Sequence, residues 1–313
     1  MNKKAPIVSI IMATYNRCHF ISETLDSILN QTFGNWECLI IDDGSIDNTK
    51  DILRPYLHKD LRFKYYKRSK NHKKGLPGCR NQGLELAKGD YIIFFDDDDI
   101  VHPDNLKISI GSIKLQKVEY LRYLREVFSG EFSENFDRLN SYKTSNVDIY
   151  DLENIITGKL PFNSCQILWR RKCFEVNHFN EDLMYAEEWE CYSRILSSGV
   201  KGISIDKVLY YGRKHPNSNT GEFWNNDPIR RASKIKAVKL VIDNLSEKGL
   251  FSPNLVHYFT RIGFLLKDNS ILDHTLKCSE AGFLTKQKYN LGYRFYPLIR
   301  PFFKLKGMVK KMF

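Results

Sequence analysis

The sequence predicts an α/β protein, a mainly parallel sheet with helices on both faces followed by a C-terminal helical appendage. Three observations lead there. Short apolar runs at residues 7–12, 36–41, 63–66 and 91–95 alternate with segments of helical spacing. Three of these runs stop at polar residues, as parallel strands do where they emerge at the carboxyl edge of a sheet and line a ligand cleft. Beyond residue 223 helical spacing takes over, at residues 235–245 and 255–266. The expected domains are therefore 1–222, the α/β unit, and 223–313, a helical region ending in a tail.

Each element has its own grounds. Residues 7–12 are rich in β-branched side chains, and after Ala13-Thr14-Tyr15-Asn16 the residues Ile21, Leu25, Ile28 and Leu29 recur at helical spacing. The strand at 36–41 runs into Asp42-Asp43-Gly44-Ser45-Ile46-Asp47-Asn48-Thr49, a turn of helix-capping residues before Ile52 and Leu53. Residues 63–66 give a third strand and 75–88 a loop and helix. The fourth strand, 91–95, is entered through Gly89-Asp90 and ends in Asp96-Asp97-Asp98-Asp99, with Pro103 suited to the first turn of the next helix. Further on, 118–127, 164–169 and 208–211 read as strands, and a helix is expected from Asp151. Another helix should follow Arg170-Arg171, with Phe174 and Val176 facing inward.

Composition narrows the class. An apolar content of 42% in 313 residues is enough for one large or two modest domains with cores. No apolar run approaches the roughly 20 residues of a membrane-spanning helix. Met1-Asn2-Lys3-Lys4 leads directly into a strand-like run rather than a signal peptide, so the expected location is cytoplasmic. Seven cysteines, Cys18, Cys38, Cys79, Cys165, Cys173, Cys191 and Cys278, have neither a disulfide framework nor zinc-ligand spacing and are read as reduced packing residues. The net charge of +11 points to nucleic acid, an anionic membrane surface or phosphorylated small molecules as partners. After Glu280 there is no acidic residue, and the lysines and arginines of 286–313 stand among aromatics. Such a tail suits peripheral contact with an anionic leaflet, on the inner face of the cytoplasmic membrane, or a solvated or partner-bound segment.

The four carboxylates at 96–99 repel one another, and a divalent cation with oxygen ligands, Mg²⁺ or Mn²⁺, offsets that repulsion. A solvated acidic turn before a helix is the alternative. No G-x-G-x-x-G or G-x-x-x-x-G-K-[ST] sequence opens a helix, so neither a dinucleotide fingerprint nor a P-loop is supported.

Four ordered stretches, residues 10–16, 40–49, Gly78-Cys79-Arg80-Asn81 and 89–99 with Pro103-Asp104, together resemble family 2 glycosyltransferases of the GT-A (Rossmann-like) fold, of the bacterial surface-polysaccharide type. The resemblance spans roughly the first 220 residues. It implies an inverting transferase that uses a nucleoside diphosphate sugar, usually a UDP-sugar, with Mn²⁺ or Mg²⁺. By position, Asp43 would accept from the uracil N3–H, Ala13, Thr14 and Tyr15 would pack the base with Asn16 beside them, and Asp97 would lie near the ribose next to Asp96. Asp98 would be the metal ligand. A carboxylate facing the single N–H of uracil makes chemical sense, since a charge-assisted bond is about twice a neutral one; an Asx-type turn is the other reading of Asp43. Arg80 follows the glycine-rich loop where the family has Ala-Arg-Asn, with Cys79 in place of alanine, and would meet nucleoside or phosphate unless it is a surface arginine.

Ala186-Glu187-Glu188-Trp189 resembles the family's Glu-Asp-Trp sequence, which makes Glu188 the catalytic base and Glu187 the reserve. Glutamate at 188 departs from the usual aspartate. Favourable charge at a helix start would explain both acids without catalysis. Gly212-Arg213-Lys214-His215 is similar to the family's Arg-x-His, so His215 is a candidate metal ligand and Arg213 a phosphate clamp, although a loop histidine is often only structural. The expected acceptor is a glycan, by analogy one that is lipid-linked. Three other functions stay open: a catalytically silent nucleotide-sugar binder, a sugar nucleotidyltransferase lacking its Gly-rich loop, and a nucleic-acid module, which the acidic strand ends disfavour and which is not expected to be a partner class.

Overall fold

The computed structural model describes residues 5–295 except 134, 140, 216–218, 280, 281, 283, 285, 290 and 294; most of the basic tail lies outside the described residues. The α/β unit opens with β1 (Val8–Thr14), α1 (Ile21–Leu29), β2 (Trp36–Asp42), α2 (Thr49–Lys59), β3 (Phe63–Lys67), α3 (Leu76–Leu86) and β4 (Tyr91–Phe94). β1 lies between β2 and β4, parallel to both, and β3 is parallel to β2 on the outside. Alternating side chains along β1 explain the two-sided cover. Val8, Ile10 and Met12 join Ile21, Leu25 and Ile28 of α1 in the main core, whereas Ile11 points the other way and meets Gly83 of α3. A Cβ at Gly83 would stand 2.4 Å from the Ile11 side chain, so the close approach of α3 to the sheet requires glycine there.

The second half of the sheet is mixed. After β5 (Ile100–Val101) and α4 (Asn105–Gln116) come β6 (Tyr120–Phe128), β7 (Thr144–Val147), α5 (Leu152–Ile156), β8 (Ile167–Arg170), α6 (Glu187–Leu196) and β9 (Gly202–Arg213). β8 is antiparallel to both β4 and β6, and β9 runs parallel to β6 while pairing antiparallel with β5 and β7. Several expectations are corrected here. α4 starts at Asn105, with Pro103 outside it and its carbonyl accepting from Thr32 N–H at 2.9 Å. The segment from 164 begins as a 3₁₀ turn, Ser164–Gln166, before β8. The helix expected after Arg170-Arg171 is a single 3₁₀ turn, Arg171–Phe174. Phe174 is buried as expected, but the turn ends there, so Val176 shares no face with it and is 84% exposed.

The chain divides into two compact units, Met1–Ser233 and Lys234–Phe313. The sequence boundary falls earlier, after residue 222, and the difference has a cause. After α7 (Asn219–Trp224), the first turns of α8 (Pro228–Glu247) are tied to the first unit. Phe223 stacks on Tyr185 with centroids 4.6 Å apart, the Tyr185 N–H donates to Ser233 Oγ, and Arg230 donates to the Met184 carbonyl. The second unit consists of the rest of α8 with α9 (Pro253–Leu266) and α10 (Asn269–Cys278), each of the latter opened by a side-chain cap, Ser252 and Asp268. Its core holds Val238, Val241, Ile242, Phe259, Ile271 and Leu272. All seven cysteines are free thiols, five of them buried. Among the described residues no helix is long and apolar enough to cross a membrane.

Candidate active site

The carboxyl ends of β1, β2 and β4 meet, and the side chains that follow them interlock. Asp42 is a turn builder. Its carboxylate accepts from Gly44 N–H at 3.0 Å, Ser45 N–H at 2.7 Å and Tyr65 OH at 2.6 Å, which fixes the polar turn after β2. Asn16 sits at φ +53° and accepts from Ile46 N–H, while its own N–H donates to Ser45 Oγ. Asp43 projects beyond this turn and accepts from Arg68 Nε and, at 3.0 Å, from the N–H of Gly75, the residue before α3. A carboxylate offers about four lone-pair sites, so Asp43 retains capacity for one more donor. Tyr15 presents a half-exposed ring nearby, with Lys74 Nζ 4.6 Å from its centroid.

After β4, the four aspartates fan out onto different partners. Asp97 is buried and meets Arg17 Nε at 3.2 Å; burial, then the adjacent Asp98 charge, push its carboxyl up to about 7. Asp98 Oδ2 lies 2.8 Å from His215 Nε2 and 3.8 Å from Arg17. Asp99 is buried, accepts from the Arg213 N–H at 2.7 Å and stands 3.8 Å from Arg125; burial and the neighbouring carboxylates raise it well above the ordinary range. Gly212 makes room for Arg125, whose guanidinium a Cβ there would overlap. Among the described residues Asp96, Asp99 and Cys165 also converge, with ligand atoms within 4.8 Å of one another. The excess of carboxylates held above their ordinary pKa, together with an imidazole aimed at Asp98, fits a site for a divalent cation: oxygen donors suit Mg²⁺ and Mn²⁺, and Mn²⁺ also accepts nitrogen.

Arg80 organises the other wall. It is buried on α3, between the rings of Phe94 and Phe179, and Nη1 donates to Glu187 Oε1 and Glu188 Oε2, both at 3.1 Å. Nη2 donates to Ser164 Oγ at 3.0 Å and lies 3.6 Å from Asp96. The two glutamates differ. Glu187 is buried, and loss of solvation followed by the Glu188 charge lifts it to about 7 despite Arg80. Glu188 keeps 29% of its side chain exposed and is the acid able to meet an incoming molecule. Ala186, just before α6, is held at φ +63°, a strained setting for a residue with a Cβ, and both acids of the first helical turn accept from Arg80.

The structure therefore links the expected residues 13–16, Asp43, Asp96, Asp97, Asp98, His215, Glu187 and Glu188 through contacts at and beside the carboxyl ends of β1, β2 and β4. Two residues take different positions from those expected. Arg80 is neither on the surface nor open to a nucleotide, because three carboxylates and Ser164 occupy its guanidinium. Arg213, expected as a phosphate clamp, is also engaged: its donors go to the Asp98 carbonyl at 2.9 Å, the Gly130 carbonyl at 2.7 Å and Glu23 at 2.6 Å. Sequence reasoning missed Arg17, Arg68, Arg125 and Ser164. Arg17 alone had a local signal, standing directly after a strand-end motif.

Glu187 yields a pH prediction. A carboxyl that titrates near 4.5 when unfolded and near 7 when folded holds its proton longer in the folded state, so its stabilising effect is complete below about 4.5 and lost as pH rises through 7. Glu187→Gln removes that titration and keeps an acceptor for Arg80. Wild type should lose up to about 3 kcal/mol relative to the variant between pH 4.5 and 7.5, measured as the difference in urea midpoints; parallel pH profiles would show that Glu187 is ionised throughout.

The model of the Glycosyl transferase family 2 matches residues 9–175, ending short of Glu187 and Glu188. The Escherichia coli UDP-Glc:alpha-D-GlcNAc-diphosphoundecaprenol beta-1,3-glucosyltransferase WfaP is 30% identical, over 74% of this chain and 86% of its own length. The chain spans from 22% to 86% of the lengths of the curated relatives it matches. The structure of S. aureus TarS 1–349 in complex with UDP superposes with a TM-score of 0.62 at 20% identity, covering 82% of this chain and 71% of TarS. The mannosyltransferase PcManGT from Pyrobaculum calidifontis, solved with GDP-Man and Mn²⁺, gives 0.56 at 16% identity, over 98% and 84%. These two likenesses carry the GT-A fold. With the family model matching more than half of the sequence and a relative 30% identical across most of both chains, this chain belongs to glycosyltransferase family 2.

Proposed function

We propose that the protein is an inverting transferase that moves a sugar from a UDP-sugar to a glycan acceptor carried on a lipid diphosphate, in the assembly of a surface polysaccharide. The observation that carries this reading is the Arg80 node, which sets a partly exposed carboxylate, Glu188, beside the strand-end aspartates. Glu188 takes the proton of the acceptor hydroxyl as its oxygen bonds to the anomeric carbon; the bond to the nucleoside diphosphate breaks on the opposite face, and an α-linked donor gives a β-linked product. Asp43 accepts from the uracil N3–H, the backbone of residues 13–15 flanks the base, and Asp97 with Arg17 lies at the ribose side. Asp98 and His215 would hold a divalent cation, and Mn²⁺ or Mg²⁺ bound there would supply positive charge to the leaving diphosphate. Arg213 positions Asp98 and Asp99 through its contacts with both.

The relatives support the donor and acceptor classes. WfaP is by name a UDP-Glc transferase to a lipid diphosphate, and TarS was crystallised with UDP and with UDP-GlcNAc. Work at the inner face of the cytoplasmic membrane follows from a lipid-borne acceptor and from the basic residues of 286–313, each worth about 1 kcal/mol near an anionic surface. The test is transfer from UDP-glucose and UDP-GlcNAc to a polyprenyl-diphosphate GlcNAc with Mn²⁺. UDP release with a β-configured product is expected, and Asp98→Ala should leave less than about 1% of the rate. A product of retained configuration would overturn the mechanism, and donor binding without transfer or hydrolysis would make the chain a silent nucleotide-sugar binder.

A further inference from the structure

The second unit contains a cluster that the transferase reading does not use. Asp243 on α8 faces His274 and Cys278 on α10, which are four residues apart and so lie one turn above the other on a single helix face. His274 Nε2 is 2.7 Å from Asp243 Oδ1, Cys278 Sγ is 3.9 Å from that same oxygen, and Sγ is 3.9 Å from Nε2. All three residues are half-buried, and Ser246 Oγ donates to the Cys278 carbonyl at 3.3 Å, fixing the end of α10 against α8.

The arrangement is wrong for a nucleophilic cysteine. In a Cys-His-acid relay the acid orients the imidazole through the nitrogen turned away from the thiol. Here Asp243 and Cys278 address the same nitrogen, so no proton path from sulfur to carboxylate is built. The three donor atoms instead surround one point. An ion placed among them would lie about 2 Å from each, close to the usual Zn–N and Zn–O distances and slightly inside the Zn–S distance of about 2.3 Å, so small side-chain shifts complete the fit.

We propose that Asp243, His274 and Cys278 form a zinc site that ties α10 to α8. A thiolate, an imidazole and a carboxylate are the donor set of Zn²⁺ rather than of Mg²⁺ or Ca²⁺, and three protein ligands leave a fourth position for water. The site is independent of the nucleotide cleft and does not rest on the proposed transferase activity.

Cobalt(II) reports such a site because it replaces zinc and gives a sulfur-to-metal charge-transfer absorption when a thiolate binds. Full-length protein stripped with chelator is titrated with CoCl₂ and then with ZnCl₂. The expected result is a charge-transfer band saturating at one equivalent and bleached by one equivalent of zinc. Since Cys165 lies near Asp96 and Asp99, Cys165→Ser is the control: the band should survive there and disappear in Cys278→Ser. His274→Ala and the milder Asp243→Asn, which alters no volume, should each weaken zinc binding by about 10²-fold or more. Absence of the band from the wild type, or its persistence in Cys278→Ser, overturns the proposal; loss only in Cys165→Ser moves the thiolate ligand to the cleft.

Discussion

Glu188→Gln is expected to lower kcat by about 10²- to 10⁴-fold while leaving the affinity for the UDP-sugar within a few-fold of wild type. The amide keeps the oxygen that accepts from Arg80 Nη1 and nearly the same volume, so α6 and the cleft wall stay in place. What disappears is the capacity to take a proton from the acceptor hydroxyl, which matters only as the transition state forms. Glu187→Gln supplies the contrast. Its carboxylate is buried and bonded to Arg80, out of reach of an acceptor, so kcat should fall by less than about 10-fold. Steady-state kinetics on both variants separate the roles; a larger loss in Glu187→Gln would exchange them.

Arg80→Leu is the substitution with the largest expected effect on stability. Removing one partner from a buried ion cluster costs about 3 to 5 kcal/mol, because the carboxylates left behind are desolvated and unpaired. Here Glu187, Glu188 and Asp96 all face the one guanidinium, and Ser164 Oγ loses its donor as well. In a unit of this size a melting temperature about 10 °C lower is the corresponding shift. Adding Glu187→Gln replaces one of the buried acids left without its Arg80 partner and should restore part of the loss, which additive behaviour of the two substitutions would contradict. Arg80→Lys should fall between, since an ammonium cannot reach both walls of the node.

How much of this was legible in the sequence follows from the range of each interaction. β1 to β4 are legible because burial on both faces of a parallel sheet demands unbroken apolar runs, and their ends stand out because carboxylates follow such runs abruptly. That pattern marks the acidic strand ends as a group, whereas Asp43 and Asp98 are singled out within them only by the family resemblance. The cations that hold them were not legible: Arg68 is 25 positions from Asp43, and Arg17 is 80 from Asp97, pairs brought together only by strand order. Arg80 shows the same limit. Its motif marked it as functional, but its role depends on α6, more than 100 residues away, being docked against α3. Val176 failed for a local reason, because a helix was assumed where a single 3₁₀ turn ends at Phe174. The C-terminal cluster was invisible because Asp243 joins the His274 and Cys278 pair only through helix packing.

The central claim, a cation-dependent site for a uridine nucleotide at the carboxyl ends of β1, β2 and β4, is tested most directly by calorimetric titration of UDP, GDP and CMP into the full-length protein, with Mn²⁺ and with EDTA. UDP binding that needs Mn²⁺ and exceeds that of GDP and CMP by about tenfold or more is the predicted result, because in the proposed site Asp43 would accept from a single N–H donor and Asp98 with His215 would hold the metal. Equal binding of all three nucleotides, or UDP binding unchanged by EDTA, would contradict it.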